Sequence, residues 1–501
     1  MREPAPRDRS PSRRSETGIA ATSGDRGAAR RRWSPSAIFA APDWADRRRG
    51  TVPTGTTPSG STPIASPPGP IAPPTRGLRP VLRRRNAIAL YVSSVLGSGI
   101  LVLPGITGQI AGPGALIAWA LLAGASLPFA LTFAGLSARR PESGGIYGFA
   151  REAFGPRVAT ATGWLFALWT MTGAPAVALI AASYLGYAFP LSRPETYLLG
   201  FAVVASAVAV NYRGIVLSAR VQLAVIGAIV ALLAVTVLVS APRVHAAEFT
   251  PFFPDGIAPV GTAAALIFWS FLGYENVSNV AEEFENPARD LPRSVFASVG
   301  VVGTLYFAVA FVTIGTGAFR AGGGVAPFAA ILGNVFGPFG AAGTAVLALF
   351  VVFGVVNAYT TGMSRVVYAT ARDGGFPRAL AHIDPSSRVP DRALLTLLGG
   401  ISAVMGVYYL ADVSLTEALL VASGAAIAVY VIGCAAGVRL RLPLAASRAA
   451  RWAIPAVALG ISLVVLPFIG LPLLVSAGVL LVAFAYATVR RVGSPGDAKP
   501  R

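Results

Sequence analysis

Apolar stretches of roughly 20 residues alternate with short polar connections from residue 86 to residue 490. A helix of about 20 apolar residues is long enough to cross the hydrocarbon core of a bilayer. The pattern therefore predicts an all-α membrane protein. The twelve predicted spans, numbered in chain order, are 86–110, 115–137, 158–188, 195–212, 216–240, 260–284, 294–318, 338–370, 392–411, 415–438, 452–469 and 471–490.

Two of these spans contain a break in otherwise apolar sequence. Predicted span 1 is interrupted near its middle by Gly97, Ser98 and Gly99, and predicted span 6 is interrupted by Gly273. Glu275 follows the second break, and a charged side chain at bilayer depth costs about 2.5 to 3.5 kcal/mol on insertion scales. A discontinuous membrane helix is tolerated only where its freed backbone groups face protein, water or ligand. The two breaks together therefore indicate a ligand site inside the membrane.

Each break also has a plainer structural explanation. Small residues such as Gly97 and Gly99 often serve close helix packing in membranes. A buried glutamate such as Glu275 can be paired with a neighbouring side chain and have a structural role only. Against this, a half-helix over 100–110 would direct its unpaired N–H groups and its positive dipole end at the break, which suits a carboxylate.

The spacing of the breaks indicates internal symmetry. The starts of predicted spans 1 and 6 lie five spans apart, and an odd number of spans inverts the second repeat relative to the first. Two inverted five-helix repeats whose broken first helices meet at the midplane are typical of secondary transporters. The expected architecture is an inverted 5+5 repeat with discontinuous helices 1 and 6 (LeuT-like) plus two C-terminal helices.

Composition agrees with a polytopic membrane protein, because only 13% of residues are charged and mean hydropathy is +0.64. The net charge of +19 raises the question of a nucleic-acid partner, which the charge distribution argues against. After residue 85, only Arg193, Arg243 and Arg320 fall outside the even-numbered connections and the C-terminal tail. The positive-inside rule then predicts that both termini are cytoplasmic.

Cysteine and histidine usage suggests neither a disulfide nor a metal site. Cys434 is the single cysteine and lies in an apolar span. His245 and His382 fall in connections on opposite sides of the predicted membrane, so they cannot share a metal ion.

The chain divides into four predicted regions. Residues 1–80 are rich in Arg, Pro, Ser, Thr and Gly and are predicted to be a disordered cytoplasmic tail. Residues 84–440 form the ten-helix core, residues 441–491 carry two peripheral helices, and residues 492–501 form a cytoplasmic tail. Within the connection after span 2, the segment IYGFAREAF at 146–154 is predicted to be a short amphipathic helix at the cytoplasmic surface.

Four motifs, in this order and spacing, resemble the amino acid-polyamine-organocation (APC) superfamily of transporters. They are LGSGILVLPG at 96–105, PESGGIYGFAREAFG at 141–155, FWSFLGYENVSNVAEEFENPARDLPRS at 268–294 and ARDGGFP at 371–377. Within that superfamily the loop and the EFENPARDLPR run are most similar to bacterial exporters of methionine and branched-chain amino acids. The likeness covers roughly residues 84 to 440.

The resemblance implies a substrate site at the two breaks. Ser98 and the backbone of Gly99 would hold the substrate carboxylate, while the carbonyls of Val95, Trp269 and Leu272 would hold its amino group. The full set of implied substrate-binding residues is Val95, Gly97, Ser98, Gly99, Ile100, Trp269, Leu272 and Gly273.

The resemblance also implies roles in gating and coupling. Trp269 and Tyr359 would act as gating aromatics, and Glu275 as the proton-responsive carboxylate. Ala174 stands where relatives specialised for arginine offer an amide to the guanidinium. This difference favours a neutral, apolar substrate side chain over a cationic one.

The expected function is secondary active transport of neutral amino acids across the cytoplasmic membrane by alternating access, with export driven by proton antiport. The alternative is a proton- or sodium-coupled uptake permease, with Thr361 and Ser364 as candidate sodium ligands. A membrane enzyme is not expected, because only Glu275 falls clearly at the midplane and hydrolases need clustered catalytic groups. No cofactor is expected, and H⁺ is the expected coupling ion. The pattern leaves open which amino acid is carried, the direction of transport, and whether the chain forms a homodimer.

Overall fold

The computed structural model describes residues 88, 91–92, 94–139, 145–213, 215–275, 287–320, 323–442, 447–490 and 492. Over these residues the chain is all-helical, with short 3₁₀ turns and no strand. The predicted N-terminal tail, residues 276–284 of predicted span 6 and residues 493–501 of the predicted C-terminal tail lie outside them.

Thirteen α-helices make up the described fold. In chain order they are α1 Gly99–Ala111, α2 Ala115–Arg139, α3 Gly145–Phe154, α4 Pro156–Ala188, α5 Arg193–Tyr212, α6 Ile215–Ser240, α7 Ala258–Ser270, α8 Pro287–Gly315, α9 Pro327–Arg372, α10 Asp391–Leu410, α11 Leu415–Leu440, α12 Ala450–Val465 and α13 Leu473–Val489.

Nine helical stretches in the described part of the chain are long and apolar enough to cross a membrane. One of them runs from Gly99 to Arg139, across the turn between α1 and α2. The helices Ala258–Ser270 and Leu473–Val489 are apolar but shorter. The all-α prediction is therefore confirmed, although this count does not reach the predicted twelve spans.

Glycine and proline mark two boundaries within the helical segments. The helix α9 is continuous from Pro327 except at Gly337, where φ is 65° and ψ is −156°. The following part matches the predicted span 338–370, and the preceding turns were not predicted as helix. A 3₁₀ turn over Gly112–Gly114, with Pro113 at its centre, separates α1 from α2.

The predicted amphipathic segment is a helix, α3, whose buried side includes Ile146, Tyr147 and Phe149. It packs against α4 and α11. The ion pair between Arg151 and Asp373 (2.5 Å) links it to the residue that follows α9.

The centre of the molecule is formed by two groups of helices. The first group is α4 with α9 and α11, both of which pack along α4. The second group is α1 and α7, which pack along each other. The helices α2 and α8 pack against each other beside this pair. Both predicted breaks therefore lie where the second group meets the first.

Candidate functional site

Both predicted breaks are present in the backbone. Tyr91, Val92, Ser94 and Val95 are helical, whereas residues 96–98 are not, and α1 begins at Gly99. At the other break, α7 ends at Ser270, and residues 271–275 are not helical.

The two breaks touch each other. Gly273 has φ of 123°, and a Cβ added to it would lie 2.1 Å from the carbonyl oxygen of Ser94. Only glycine accommodates both the positive φ and this approach of two backbones. The sequence identified Gly273 as a break, and the structure shows that it is also the point of contact.

The Val95 carbonyl, which lies at the first break, already accepts hydrogen bonds from the protein. The carbonyl oxygen of Val95 accepts hydrogen bonds from the N–H of Gly97 (2.7 Å) and the hydroxyl of Tyr306 (2.7 Å). A carbonyl oxygen has two lone pairs, so the predicted role of Val95 in holding an amino group requires Tyr306 to withdraw.

Within the described part of the chain, two serine hydroxyls at the breaks find no hydrogen-bond partner. Ser98 and Ser270 are both buried, and neither Oγ atom is paired. A Cβ added to Gly99 would lie 2.7 Å from Ser270 Oγ, so Ser270 faces the first break directly. Sequence reasoning named Ser98 but missed Ser270, although a hydroxyl immediately before a predicted break was a signal that could have found it.

Glu275 is buried, with 4% of its surface exposed. Its carboxylate accepts hydrogen bonds from the N–H of Gly273 (2.9 Å) and from the hydroxyl of Tyr430 on α11. The Gly273 N–H also points at the Tyr430 oxygen, at 3.1 Å. The described partners of Glu275 are thus neutral donors, and they join the second break to α11.

Aromatic packing holds Tyr430 in place. The rings of Phe129, Phe133 and Phe268 each meet the Tyr430 ring edge-on, with centroid separations of 5.0 to 5.6 Å. Such edge-to-face pairs are a favoured aromatic geometry. Sequence analysis did not name Tyr430, since nothing in an apolar span indicates which tyrosine will meet a glutamate 155 residues away.

A small pocket, here called the hollow, lies beside the breaks. Its empty space is about 230 Å³ when its mouth is counted, with room for about one water molecule at its centre. It is lined by Trp169, Thr170, Gly173, Ala174, Val177, Trp269, Val356 and Tyr359. The two predicted gating aromatics and Ala174 are among these residues, whereas residues 95–100 are not.

Trp269 lies between the first break and the hollow. A Cβ added to Gly99 would be 2.8 Å from Trp269 Cδ1, and one added to Gly173 would be 2.6 Å from Trp269 Cη2. One edge of the indole thus contacts the first break, and the opposite edge contacts α4.

Thr361 and Ser364, the candidate sodium ligands, hydrogen-bond to other protein groups in the structure. The hydroxyl of Thr361 donates to Asn211 Oδ1 on α5 and to the Asn357 carbonyl oxygen (2.7 Å). Ser364 Oγ donates to the carbonyl oxygen of Thr361 (2.9 Å). Asn211, a lone amide in an apolar stretch, was missed by the sequence analysis and lies at the centre of this polar cluster.

Comparison with known proteins decides the family. A sequence profile described as amino acid permease matches residues 82–494 of this chain. The chain belongs to the amino acid permease family. Members of this family are membrane transporters and not enzymes.

Several relatives of this permease carry informative names. The uncharacterized amino acid permease YecA of Bacillus subtilis is 35% identical over 70% of this chain and 83% of its own length. The L-methionine/branched-chain amino acid exporter YjeH of Escherichia coli is 29% identical over 73% and 87%, respectively. The branched-chain amino acid permease BcaP of Bacillus subtilis is 31% identical over 63% and 72%. The predicted resemblance to amino acid transporters, including exporters, is confirmed.

Proposed function

We propose that this permease exports neutral amino acids across the cytoplasmic membrane by alternating access, in exchange for protons. The contact between the two broken helices beside the hollow is the observation that carries this proposal. Broken helices meeting within a bundle offer peptide dipoles to a zwitterion, which an apolar helix surface cannot bind. Export is supported by the name of YjeH, a relative described as an exporter of methionine and branched-chain amino acids.

The proposed architecture has twelve spans, with an inverted 5+5 repeat over residues 84–440 and both termini in the cytoplasm. In this scheme α1 and α7 are the described halves of the broken helices that open the two repeats. The contact between the two breaks, at Gly273 and the Ser94 carbonyl, supports the scheme, because the first helices of inverted repeats meet at the midplane.

The substrate carboxylate would bind at the first break. The unpaired hydroxyl of Ser98 and the N–H of Gly99 would receive it, with Gly97 and Ile100 shaping the cradle. The hydroxyl of Ser270 is a further donor in the same place, since it is buried, unpaired and adjacent to Gly99.

The substrate amino group would bind to backbone carbonyls. The Trp269 carbonyl lies in the last turn of α7, where it accepts the Leu272 N–H at 3.3 Å, and the Leu272 carbonyl follows α7 beside Gly273. The Val95 carbonyl becomes available if Tyr306 withdraws. The Trp269 ring would turn to admit the side chain into the hollow, and Tyr359 would close the other wall.

Glu275 would couple transport to protons. In the described state its carboxylate accepts hydrogen bonds from the Gly273 N–H and the Tyr430 hydroxyl. These bonds connect the second break to α11. Hydrogen bonds to an ionised acceptor are roughly twice as strong as neutral ones. Protonation of Glu275 would therefore weaken these hydrogen bonds and allow the break to move relative to α11.

The test replaces Glu275 by glutamine in protein reconstituted into liposomes. We expect Glu275→Gln to exchange neutral amino acids across the membrane but to lose the acceleration that a pH gradient gives the wild type. Asp412→Asn is the matched control, because Asp412 is an exposed carboxylate paired only with Arg193 at the surface, and it should keep that acceleration. Full pH-gradient dependence in Glu275→Gln would contradict the proposed role of Glu275.

Uptake coupled to sodium is the alternative. The hydroxyls of Thr361 and Ser364 are engaged by Asn211 and by their own helix, which does not favour a sodium site there. We expect flux to be unchanged when sodium is replaced by choline. A strict sodium requirement would support the uptake alternative.

A further inference from the structure

We propose that Thr170 and Trp169 form a hydrogen-bonding subsite that selects neutral amino acids with an acceptor atom on a short side chain. Threonine would be preferred over its isostere valine. This inference rests on the proposed function, since it specifies which neutral side chain the hollow receives.

Thr170 and Trp169 are unpaired donors that line the same pocket. Each side chain is 2% exposed, and neither Thr170 Oγ1 nor Trp169 Nε1 has a hydrogen-bond partner among the residues that the structure describes. Buried polar groups in native proteins are nearly always paired, and an exception calls for an explanation. A ligand atom in the hollow would supply the missing partner to both.

The hydroxyl of Thr170 differs from those of its neighbours on α4. Thr162 and Thr172 each donate to the backbone carbonyl four residues earlier, at 2.8 Å. This back-bonding is the usual fate of a threonine in a membrane helix. Thr170 does not make this bond, so its hydroxyl is unpaired just behind the apolar surface of the hollow, where a ligand that displaces Trp269 would reach it.

The ring neighbours of Trp169 do not replace a hydrogen-bond acceptor. Its ring meets those of Trp269 and Tyr359 edge-on, at centroid separations of 6.2 and 6.0 Å. An N–H group directed at an aromatic face gains only a weak contact. Since the indole N–H donates and cannot accept, the ligand atom beside it must be an acceptor.

The rest of the lining limits the class of side chain. Gly173, Ala174, Val177 and Val356 are small or aliphatic, and no residue that lines the hollow is charged. A charged side chain would lose its hydration there without gaining a counter-ion. A hydroxyl oxygen meets both requirements, because it accepts from Trp169 while exchanging a second hydrogen bond with Thr170.

The size and place of the hollow favour a short side chain. It has room for about one water molecule at its centre before Trp269 moves. The hollow adjoins the side of Trp269 that faces Gly173, opposite the edge that contacts Gly99. A substrate whose carboxylate lies at the first break would therefore extend its side chain past Trp269 into the hollow.

The experiment measures competition between threonine and valine in liposome exchange. One net hydrogen bond corresponds to a preference of about fivefold for threonine in the wild type. Thr170→Val should bring the ratio close to one, and Thr170→Ser, which keeps the hydroxyl, should retain the preference. Thr172→Val is the matched control and should leave the ratio unchanged, because the Thr172 hydroxyl is bonded to its own helix.

Trp169→Phe tests the second donor, since it removes the N–H while keeping an aromatic ring. It should lower the threonine preference in the same direction as Thr170→Val. The shift in melting temperature that each amino acid causes in detergent-purified variants reports binding separately from turnover, and it should follow the same order.

Three results would overturn the subsite. These are a wild type that does not prefer threonine, a ratio unchanged in Thr170→Val, and an equal loss in Thr172→Val. In each case neutral amino acids are still exchanged, so the proposed function stands. If no neutral amino acid is exchanged at all, the proposed function fails and the subsite fails with it.

Discussion

Gly273 and Glu275 show how two nearby residues can define a site. Gly273 takes a backbone conformation that residues with side chains rarely adopt. It brings two segments of the backbone into contact. Its N–H is then directed at the carboxylate two residues later. The same glycine thus sets the end of α7, the approach of the two breaks and one of the hydrogen bonds that Glu275 receives.

At the residue scale, we expect Gly273→Ala to abolish transport and to destabilise the protein. The added Cβ would collide with the Ser94 carbonyl oxygen at 2.1 Å, in a region of positive φ. Strain of this kind costs about 2 to 4 kcal/mol. Thermal unfolding in detergent and exchange in liposomes measure both effects.

The control for Gly273→Ala is Gly124→Ala, within α2, where an added Cβ would have no neighbouring atom within 4 Å. Alanine has a higher helix propensity than glycine, so this variant should be at least as stable as the wild type. Wild-type transport and melting in Gly273→Ala would show that the second break does not depend on glycine.

Short elements outside the spans also join the helices to one another. Asp373, which follows α9, accepts hydrogen bonds from Arg151 (2.5 Å) and from the Tyr147 hydroxyl (3.1 Å), both on α3. Burial, followed by the charge of Asp373, raises the pKa of Tyr147. The phenol therefore stays protonated at neutral pH and remains a donor. The link weakens only above the ordinary pKa of tyrosine, about 10.

At the element scale, we expect Asp373→Ala to lower the free energy of unfolding by about 1 to 2 kcal/mol. The variant leaves the buried Tyr147 hydroxyl without its acceptor, whereas the half-exposed Arg151 regains water. Asp412→Asn, at an exposed ion pair, should change unfolding by much less. Equal melting of Asp373→Ala and wild type would show that the contacts of Asp373 do not stabilise α3.

Across the whole molecule, the two ends of the bundle differ. At one end, a loop over 241–257 lies against the turn between α1 and α2, where the Gly114 N–H donates to Phe252 O (2.9 Å). The ion pair between Glu248 and Arg320 (3.1 Å) joins this loop to the segment after α8. At the other end are α3 and the arginine-bearing turns near Asp373.

At the whole-molecule scale, the proposed orientation predicts which end an impermeant maleimide reaches. Ala247→Cys, in the exposed loop, should be labelled on intact cells. Ala379→Cys, beyond α9, should be labelled only after the membrane is opened. The wild type is the control and should stay unlabelled, because its single cysteine, Cys434, is buried. The reverse labelling pattern would contradict the positive-inside prediction.

The sequence by itself determined the class of fold and the location of the breaks. Apolar stretches of membrane length specify helices, because a backbone in lipid must satisfy its own hydrogen bonds. Gly97 and Gly273 were predicted to interrupt their helices, and the non-helical backbone at 96–98 and at Gly273 confirms this. Other glycines, such as Gly124 and Gly173, lie within continuous helices. The sequence also singled out Glu275, since charge in an apolar span is costly, and the structure places this residue in the interior.

Only the tertiary structure decided which groups meet at those breaks. Tyr430 reaches Glu275 from 155 residues away, and Tyr306 takes the Val95 carbonyl that a substrate was expected to use. Thr361 bonds to Asn211 on α5, and the Thr170 hydroxyl on α4 is unpaired beside the hollow. Hydrophobic periodicity shows which face of a helix is buried. The partner of a buried polar group depends on how distant helices pack, and no local pattern records that.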